Sequence, residues 1–232
     1  KTFIFAAVGF ETTTAVYAML MQEILSRGIR NIRLLTSLKA MPPVIDWVCR
    51  EQGGVDGFLA PGHVSVVTGS AVFNGLAEKY ALPFAVAGFE GPQLLAAIYA
   101  LVKARGQGKV MNLYPSVVTE RGNVAAQQAI ARYFMPTDAA WRGMGVIAGS
   151  GLILRPEYAA FDAGSADLTD DHAHNPQCRC AQVLTGAIKP TGCPLFGREC
   201  TPQSQQGACM VSTEGSCYNY YVNNTNPSLK PI

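Results

Sequence analysis

Six cysteines crowd the C-terminal part of the chain, whereas the preceding 177 residues contain a single one, Cys49. Their spacing is C-x-C-x12-C-x6-C-x8-C-x7-C. Thiols at this density can form structural disulfides, hold a metal, or exchange electrons as a dithiol and disulfide pair. The six are Cys178, Cys180, Cys193, Cys200, Cys209 and Cys217.

The spacing favours an iron-sulfur cluster over the two other uses of thiols. Three disulfides suit a small secreted scaffold, and this chain has a large apolar part and no signal sequence. A structural zinc site usually takes paired C-x2-C knuckles, which the sequence lacks. A cluster needs four soft thiolate ligands and would leave two cysteines free to form a redox disulfide. His172 and His174 could join a metal site, although a solvated loop is the expected role of both.

A second group of polar residues follows the predicted strands. Glu11 lies in "GFETTT", His63 in "PGHVS" and Glu90 in "GFE", each directly after a strand-like run. Because ligands of open α/β sheets bind beyond the carboxyl ends of the strands, we expect these three side chains at one rim. Two carboxylates and an imidazole suit proton transfer or the outer shell of a metal. The alternative is structural: Thr12, Thr13 or Thr14 would cap a helix, and the glycines would permit tight turns.

Four β-α units in the first 106 residues position this rim. Short β-branched runs such as "TFIFAAVG" alternate with stretches of helical spacing such as "TTTAVYAMLMQEILSRG". The pattern predicts an α/β protein: a parallel-sheet, Rossmann-like domain with helices on both faces, plus a small C-terminal cysteine-rich iron-sulfur module. We place the α/β domain at residues 1–140, the cysteine module at 141–221 and a frayed tail at 222–232. No GxGxxG or GxxxxGK[ST] motif supports dinucleotide or P-loop binding.

Composition excludes several classes of protein. Of the 232 residues, 49% are hydrophobic and 15% charged, which excludes a disordered chain. A net charge of +2 without basic blocks argues against nucleic acid or an anionic membrane as a partner. No apolar run is long enough for a spanning helix, and the start lacks a cleavable signal, which predicts a cytoplasmic protein. The chain starts at Lys1 inside a strand-like run, so we expect that an upstream domain is missing.

Taken together, several motifs resemble the HypD family of nickel-iron hydrogenase maturation proteins. They run in order along the chain: "GFETT", "APGHVS", "AGFE", "WRGMGVI", "CRC", "CPLFGREC", "GACMVSTEG" and "C.NYY". In that family, α/β domains carry a C-terminal module with a four-iron four-sulfur cluster. The resemblance implies an assembly scaffold rather than a turnover enzyme. With a HypC-type chaperone it would carry iron that receives two cyanides and one carbon monoxide, the Fe(CN)2CO moiety destined for the hydrogenase large subunit, the cyanide coming from a HypE-type donor.

The resemblance also implies roles for individual residues. The implied redox pair is Cys180 with Cys209, as in ferredoxin-thioredoxin reductase. The implied cluster ligands are Cys178, Cys193, Cys200 and Cys217. The residues implied to lie along the path between the cluster and the iron site are Glu11, Thr12, Thr13, His63 and Glu214.

The chain departs from the family pattern in three respects. The family's "CGTHE" and "GPGCPVC" loops, whose cysteines hold the iron under assembly, are absent. Leu38-Lys39 stands where members often carry His-Lys. Cys49 matches no family motif and is expected to be a buried, inert thiol on a helix.

Two rival functions remain on the sequence alone. The chain could be a stand-alone iron-sulfur thiol-disulfide reductase acting on external proteins. The cysteine module could instead be a zinc or cluster staple that holds a small lobe.

Overall fold

The computed structural model describes residues 1–51, 54–141, 143–168 and 175–225. The chain divides into two compact units. Unit 1 comprises Lys1–Cys49, Asp56–Ala139 and Ala148–Leu168. Unit 2 comprises Arg50–Val55, Ala140–Ile147 and Thr169–Ile232.

The element order confirms an α/β protein. The strands are β1 (Phe3–Gly9), β2 (Ile32–Lys39), β3 (Phe58–Pro61), β4 (Phe84–Ala87), β5 (Val110–Asn112), β6 (Phe134–Trp141) and β7 (Gly145–Leu154). The helices are α1 (Glu11–Ser26), α2 (Met41–Glu51), α3 (Gly62–Thr68), α4 (Asn74–Tyr80), α5 (Gly91–Lys103), α6 (Val124–Tyr133), α7 (Cys180–Leu184), α8 (Ala208–Val211) and α9 (Ser216–Thr225). Short 3-10 helices cover Ser70–Phe73, Pro156–Phe161, Ser165–Asp167 and Pro190–Gly192.

The described strands form two sheets, which corrects the prediction of a parallel sheet throughout. One sheet has the order β3-β4-β5 and is parallel. The other has the order β1-β2-β7-β6, with β1 parallel to β2 and β7 antiparallel to β2. Strands β6 and β7 follow one another along the chain, and neighbouring segments joined by a short connection can pair only as an antiparallel hairpin. This hairpin adds the antiparallel part to the sheet.

The core of the mixed sheet follows from two periodicities. Along β2, every second residue from Leu34 to Leu38 is buried, as expected for a strand with one covered face. On α1, the buried residues recur at helical spacing, at Thr14, Ala18 and Met21. These two faces meet in one hydrophobic cluster.

The parallel sheet has its own core around β4. All of β4 is buried, as is typical of a central strand in a parallel sheet. The ring of Phe84 stacks between those of Phe58 and Phe73, with centroids 4.9 and 5.4 Å away. Cys49 packs at the margin of this core and is half-buried rather than buried.

Unit 2 contains helices α7, α8 and α9, which pack against one another. Residues 222–225, placed in the frayed tail from sequence, belong to α9, while residues 226–232 lie outside the described residues. Across the described ranges of the chain, no helix combines the length and apolar character needed to cross a bilayer.

Candidate functional site

The six clustered cysteines are all buried and form the centre of one hydrophobic cluster. Their exposed fractions lie between 2% for Cys180 and 9% for Cys178. Val183, Leu195 and Met210 complete the buried part of this hydrophobic cluster. We call the six cysteines together the cysteine cluster. Thiols therefore take the place that aliphatic side chains occupy in an ordinary small core.

Three of the six sulfurs come from three short helices that pack together. Cys180 is the first residue of α7, Cys209 is the second of α8 and Cys217 is the second of α9. Helices of four to ten residues have little stability of their own in water. Their packing around the buried sulfurs is what holds them.

Cys209 contacts two other sulfurs. Its Sγ lies 3.0 Å from Cys180 Sγ and 3.0 Å from Cys217 Sγ. The structure thus brings together Cys180 and Cys209, the pair implied by the resemblance. It also places Cys217, an implied cluster ligand, equally close to Cys209.

Burial and mutual contact keep the central thiols protonated. The pKa of Cys180 is raised strongly, first by its hydrogen bond to Cys209 and then by burial. The hydrogen bond from Cys180 lowers the pKa of Cys209, but the bond to Cys217 and burial outweigh it and raise that pKa to about 12. Burial also raises the pKa of Cys178. Because the thiolate is the ligand and the nucleophile, these sulfurs need a cationic partner such as a metal to become reactive.

Main-chain amides point at two of the remaining sulfurs. The amide of Arg179 donates to Cys193 Sγ at 3.5 Å, and that of Gln206 donates to Cys200 Sγ at 3.4 Å. Such donors stabilise sulfur that carries negative charge, as in thiolate bound to iron. A buried, sulfur-only donor set with amide donors fits the chemistry of an iron-sulfur cluster. Within the described ranges, no three His, Cys, Asp or Glu side chains form a site for a single metal ion.

Glu11 is the buried acid of unit 1. Its side chain is 7% exposed, and one carboxylate oxygen accepts a hydrogen bond from the amide of Met41, at the start of α2, at 2.7 Å. The other oxygen, Oε2, is buried and accepts no hydrogen bond from any residue the structure describes. Burial raises the pKa of this carboxyl, and the bond from Met41 only partly offsets that effect. Glu11 is therefore suited to hold a proton rather than a charge.

The threonines of "GFETTT" do not cap the helix, contrary to the structural alternative considered for them. Phe10 is the N-cap residue and makes no side-chain cap, and Thr12, Thr13 and Thr14 lie inside the first turn of α1. The Thr14 hydroxyl donates to the carbonyl of Phe10 at 2.9 Å. A Cβ at Gly9, whose φ is +146°, would lie 2.5 Å from Thr13 Oγ1. Gly9 thus lets Thr13 pack against the end of β1.

His63 and Glu90 follow β3 and β4 and so lie at the carboxyl edge of the parallel sheet. The sequence predicted a loop for His63, but His63 lies in the first turn of α3. Its exposed ring stacks on Phe89, with centroids 5.3 Å apart. Glu11, in contrast, follows a strand of the mixed sheet. The prediction that all three follow strands of one sheet is therefore wrong, although α1, which begins at Glu11, packs against α3, which carries His63 in its first turn.

Two residues beside Glu11 carried no signal in the sequence. Gln127 of α6 and Arg155 line, with Glu11, a cavity of about 280 Å³. Gln127 donates to the carbonyls of Val67 and Arg121, each at 2.7 Å. Only the packing of α6 and the chain after β7 brings these side chains near α1, and no local motif encodes that packing.

Glu214 and the two histidines of "DDHAHNP" were also predicted as candidates from the sequence. Glu214, in unit 2, is exposed, and its amide donates to Ser212 Oγ at 3.2 Å. His172 and His174 lie outside the described residues.

Comparisons of the chain with a family model and with individual proteins agree on one family. A family model described as HypD, "Hydrogenase formation hypA family", matches residues 1–224. The chain is 41% identical over 224 residues to the hydrogenase maturation factor HypD of Escherichia coli (strain K12), covering 94% of this chain and 60% of the relative. It is 39% identical over 225 residues to a putative hydrogenase expression/formation protein of Methanocaldococcus jannaschii, covering 95% and 63%. A HypD of Rhizobium leguminosarum bv. viciae is 38% identical over 231 residues, covering 94% and 60%. The chain thus spans less than two thirds of the length of these relatives.

Proposed function

Because the chain belongs to the HypD family of hydrogenase formation proteins, we propose that it is part of a hydrogenase maturation factor whose cysteine cluster does redox work. The observation that carries the proposal is the contact of Cys180 with Cys209 inside a buried group of six sulfurs. A merely structural core would not need six thiols where leucine or valine packs as well. The contact of Cys180 with Cys209 beside four further buried sulfurs suits a redox pair next to a metal group.

In this proposal, four cysteines hold a four-iron four-sulfur cluster and two remain free. When bound, such a cluster supplies single electrons. Cys180 and Cys209 are the two thiols that close to a disulfide on losing two electrons and two protons, and that reopen when these are returned. The amides of Arg179 and Gln206 donate to two of the ligand sulfurs and stabilise their charge. The four proposed ligands are Cys178, Cys193, Cys200 and Cys217.

The α/β unit supplies polar groups for the metal under assembly. Glu11 holds a proton in a buried position at the start of α1, beside Thr12 and Thr13. His63 presents an exposed imidazole whose ring is oriented by Phe89. We assign to these residues the handling of protons and polar ligands along the path to the iron site, and to Glu214 a place on the same path.

The partners and cargo belong to the complete protein. The iron, with its cyanide and carbon monoxide ligands, is the cargo rather than a resident cofactor. We propose a HypC-type chaperone and a HypE-type cyanide donor as partners, with the hydrogenase large subunit as the final recipient. The printed names of the relatives, which are hydrogenase maturation and formation proteins, support this assignment. Free thiols of this kind persist in a reducing compartment, so we place the protein in the cytoplasm.

Metal analysis of anaerobically purified protein tests the proposal. We expect iron and acid-labile sulfide in equal amounts, with the visible absorbance of thiolate-bound iron. The Cys193→Ser variant should lose both, whereas the Cys180→Ser/Cys209→Ser double variant should keep both and lose the redox function. Protein that takes up zinc but no iron, or a double variant that loses its iron, would contradict the assignment.

A stand-alone thiol-disulfide reductase is the second candidate, and the same sulfur contact favours it. A pair of cysteines in contact can also reduce a disulfide of another protein. Reduction of a thioredoxin-like substrate in the absence of the HypC-type partner would favour this candidate.

A further inference from the structure

One short segment, residues 206–209, contacts the sulfurs of four members of the cysteine cluster. The amide of Gln206 donates to Cys200 Sγ at 3.4 Å, and the amide of Cys209 donates to Cys180 Sγ at 3.3 Å. Cys209 Sγ contacts Cys217 Sγ at 3.0 Å. The segment overlaps "GACMVSTEG", one of the motifs that carry the family resemblance, but the motif by itself does not reveal these contacts.

Gly207, at the centre of this segment, lies directly against Cys178. A Cβ built on Gly207 would be 2.6 Å from Cys178 Sγ and 3.2 Å from Cys180 Cβ. The first distance is far below van der Waals contact, and Cys178 is buried, so its sulfur has little room to move away. The sulfur of Cys178 occupies the space that any other side chain at position 207 would need.

The need for glycine at position 207 is steric and does not come from the backbone. Its φ of −129° and ψ of 155° are extended and open to any L residue. Gly186 and Gly197, in the same unit, have positive φ values and nothing within 4 Å of a built Cβ. At these two positions the backbone conformation, and not a lack of space, favours glycine. Gly192 meets only ordinary contacts, the nearest being Ile188 Cβ at 3.4 Å.

We infer that Gly207 is a positioning residue of the cysteine cluster: its missing side chain seats Cys178 against the main chain that directs amides at Cys200 and Cys180. Gly207 contacts the protein's own sulfurs, so this role does not depend on bound metal. Where the proposed function is correct, the same residue also sets the position of one cluster ligand relative to the redox pair.

A double-mutant cycle on the metal-free, reduced chain tests this inference. Gly207→Ala should lower the denaturation midpoint, because the new methyl group collides with Cys178 Sγ. In a Cys178→Ala background, which removes that sulfur, the same substitution should cost less than half as much. Gly192→Ala, in the same unit, is the matched control and should change the midpoint little. Equal losses in both backgrounds would overturn the inference.

A redox readout separates positioning from bulk stability. Gly207→Ala should shift the thiol-disulfide equilibrium constant of Cys180 and Cys209 against glutathione by about tenfold, with Gly192→Ala staying within about twofold. An unchanged constant in folded Gly207→Ala would refute the inference. If Gly207→Ala alone does not fold, the Cys178→Ala/Gly207→Ala variant decides: a folded double variant supports the inference, and an unfolded one overturns it. Absence of iron from the wild type would remove the proposed cluster and leave this result intact.

Discussion

Cys209 Sγ lies as close to Cys217 Sγ as to Cys180 Sγ, at 3.0 Å in both cases. Cys209 Sγ thus contacts both its proposed redox partner, Cys180, and a proposed cluster ligand, Cys217. Which of the two contacts becomes a covalent bond on oxidation determines whether oxidation spares the metal site or dismantles it.

We predict that mild oxidation joins Cys180 to Cys209 in the wild type. Binding of Cys217 to the metal group would leave Cys180 as the only free partner of Cys209. In Cys180→Ser, oxidation should instead join Cys209 to Cys217 and release iron. Peptide mapping by mass spectrometry identifies the bond. Cys49→Ser serves as a control that leaves the pairing unchanged, and a Cys209–Cys217 disulfide in iron-loaded wild type would disprove the prediction.

The buried carboxyl of Glu11 predicts a pH-dependent contribution to stability. Its pKa is raised above the ordinary value of 4.5, so the folded chain binds the proton more tightly than the unfolded chain does. Its stabilising contribution is complete below about pH 4.5 and is lost as the pH rises through the raised pKa. The glutamine of Glu11→Gln does not ionise. Its free energy of unfolding should therefore increase relative to that of the wild type as the pH rises.

Urea unfolding of the wild type and Glu11→Gln across this range measures the difference. Glu90→Gln, which removes an exposed carboxylate, is the matched control. A constant difference between Glu11→Gln and the wild type would show that burial does not govern this group.

Gly62 predicts a large effect of one added methyl group. A Cβ there would lie 2.7 Å from the carbonyl oxygen of Ala87 and 2.9 Å from the ring of Tyr114. Gly62→Ala should therefore cost about 1–3 kcal/mol of unfolding free energy, because a backbone carbonyl in β4 cannot move aside. Gly75→Ala, in α4 with open space around it, should be neutral or stabilising by up to about 1 kcal/mol. Chemical denaturation of both variants gives the comparison, and equal effects would be inconsistent with the close approach of α3 to β4.

Replacing His63 should affect function much more than stability. Its ring is exposed and contacts the exposed ring of Phe89, so His63→Ala should change the unfolding free energy by less than about 1 kcal/mol. In the complete protein, the same change should abolish maturation if His63 handles protons on the path to the iron. The test is hydrogenase activity alongside thermal unfolding. Normal maturation by a stably folded variant would remove His63 from the proposed site.

Much of the secondary structure could be predicted because its signals are local. The apolar run of β1 and the helical spacing along α1 are visible in the sequence, and the structure forms a strand and a helix there, although Val16, expected on the covered face of α1, is exposed. The grouping of strands was not predictable, because the antiparallel pairing of Leu38 with Leu152 joins residues far apart along the chain. Nothing near Leu38 specifies that partner.

The candidate sites show the same division. The family resemblance implied the pair Cys180 and Cys209, and the structure places these two sulfurs in contact. The sequence did not show that Glu11 accepts a hydrogen bond from the start of α2, that His63 follows a strand of the other sheet, or that Gly207 lies against Cys178.

By itself, the sequence determined the four β-α units of the first 106 residues, the family resemblance and the candidate site residues, because these depend on residue types and short-range spacing. Only the tertiary structure decided which sulfurs touch, which carboxyl is buried and which glycine must remain a glycine. These properties depend on distances of a few ångströms between segments that packing, rather than chain order, brings together.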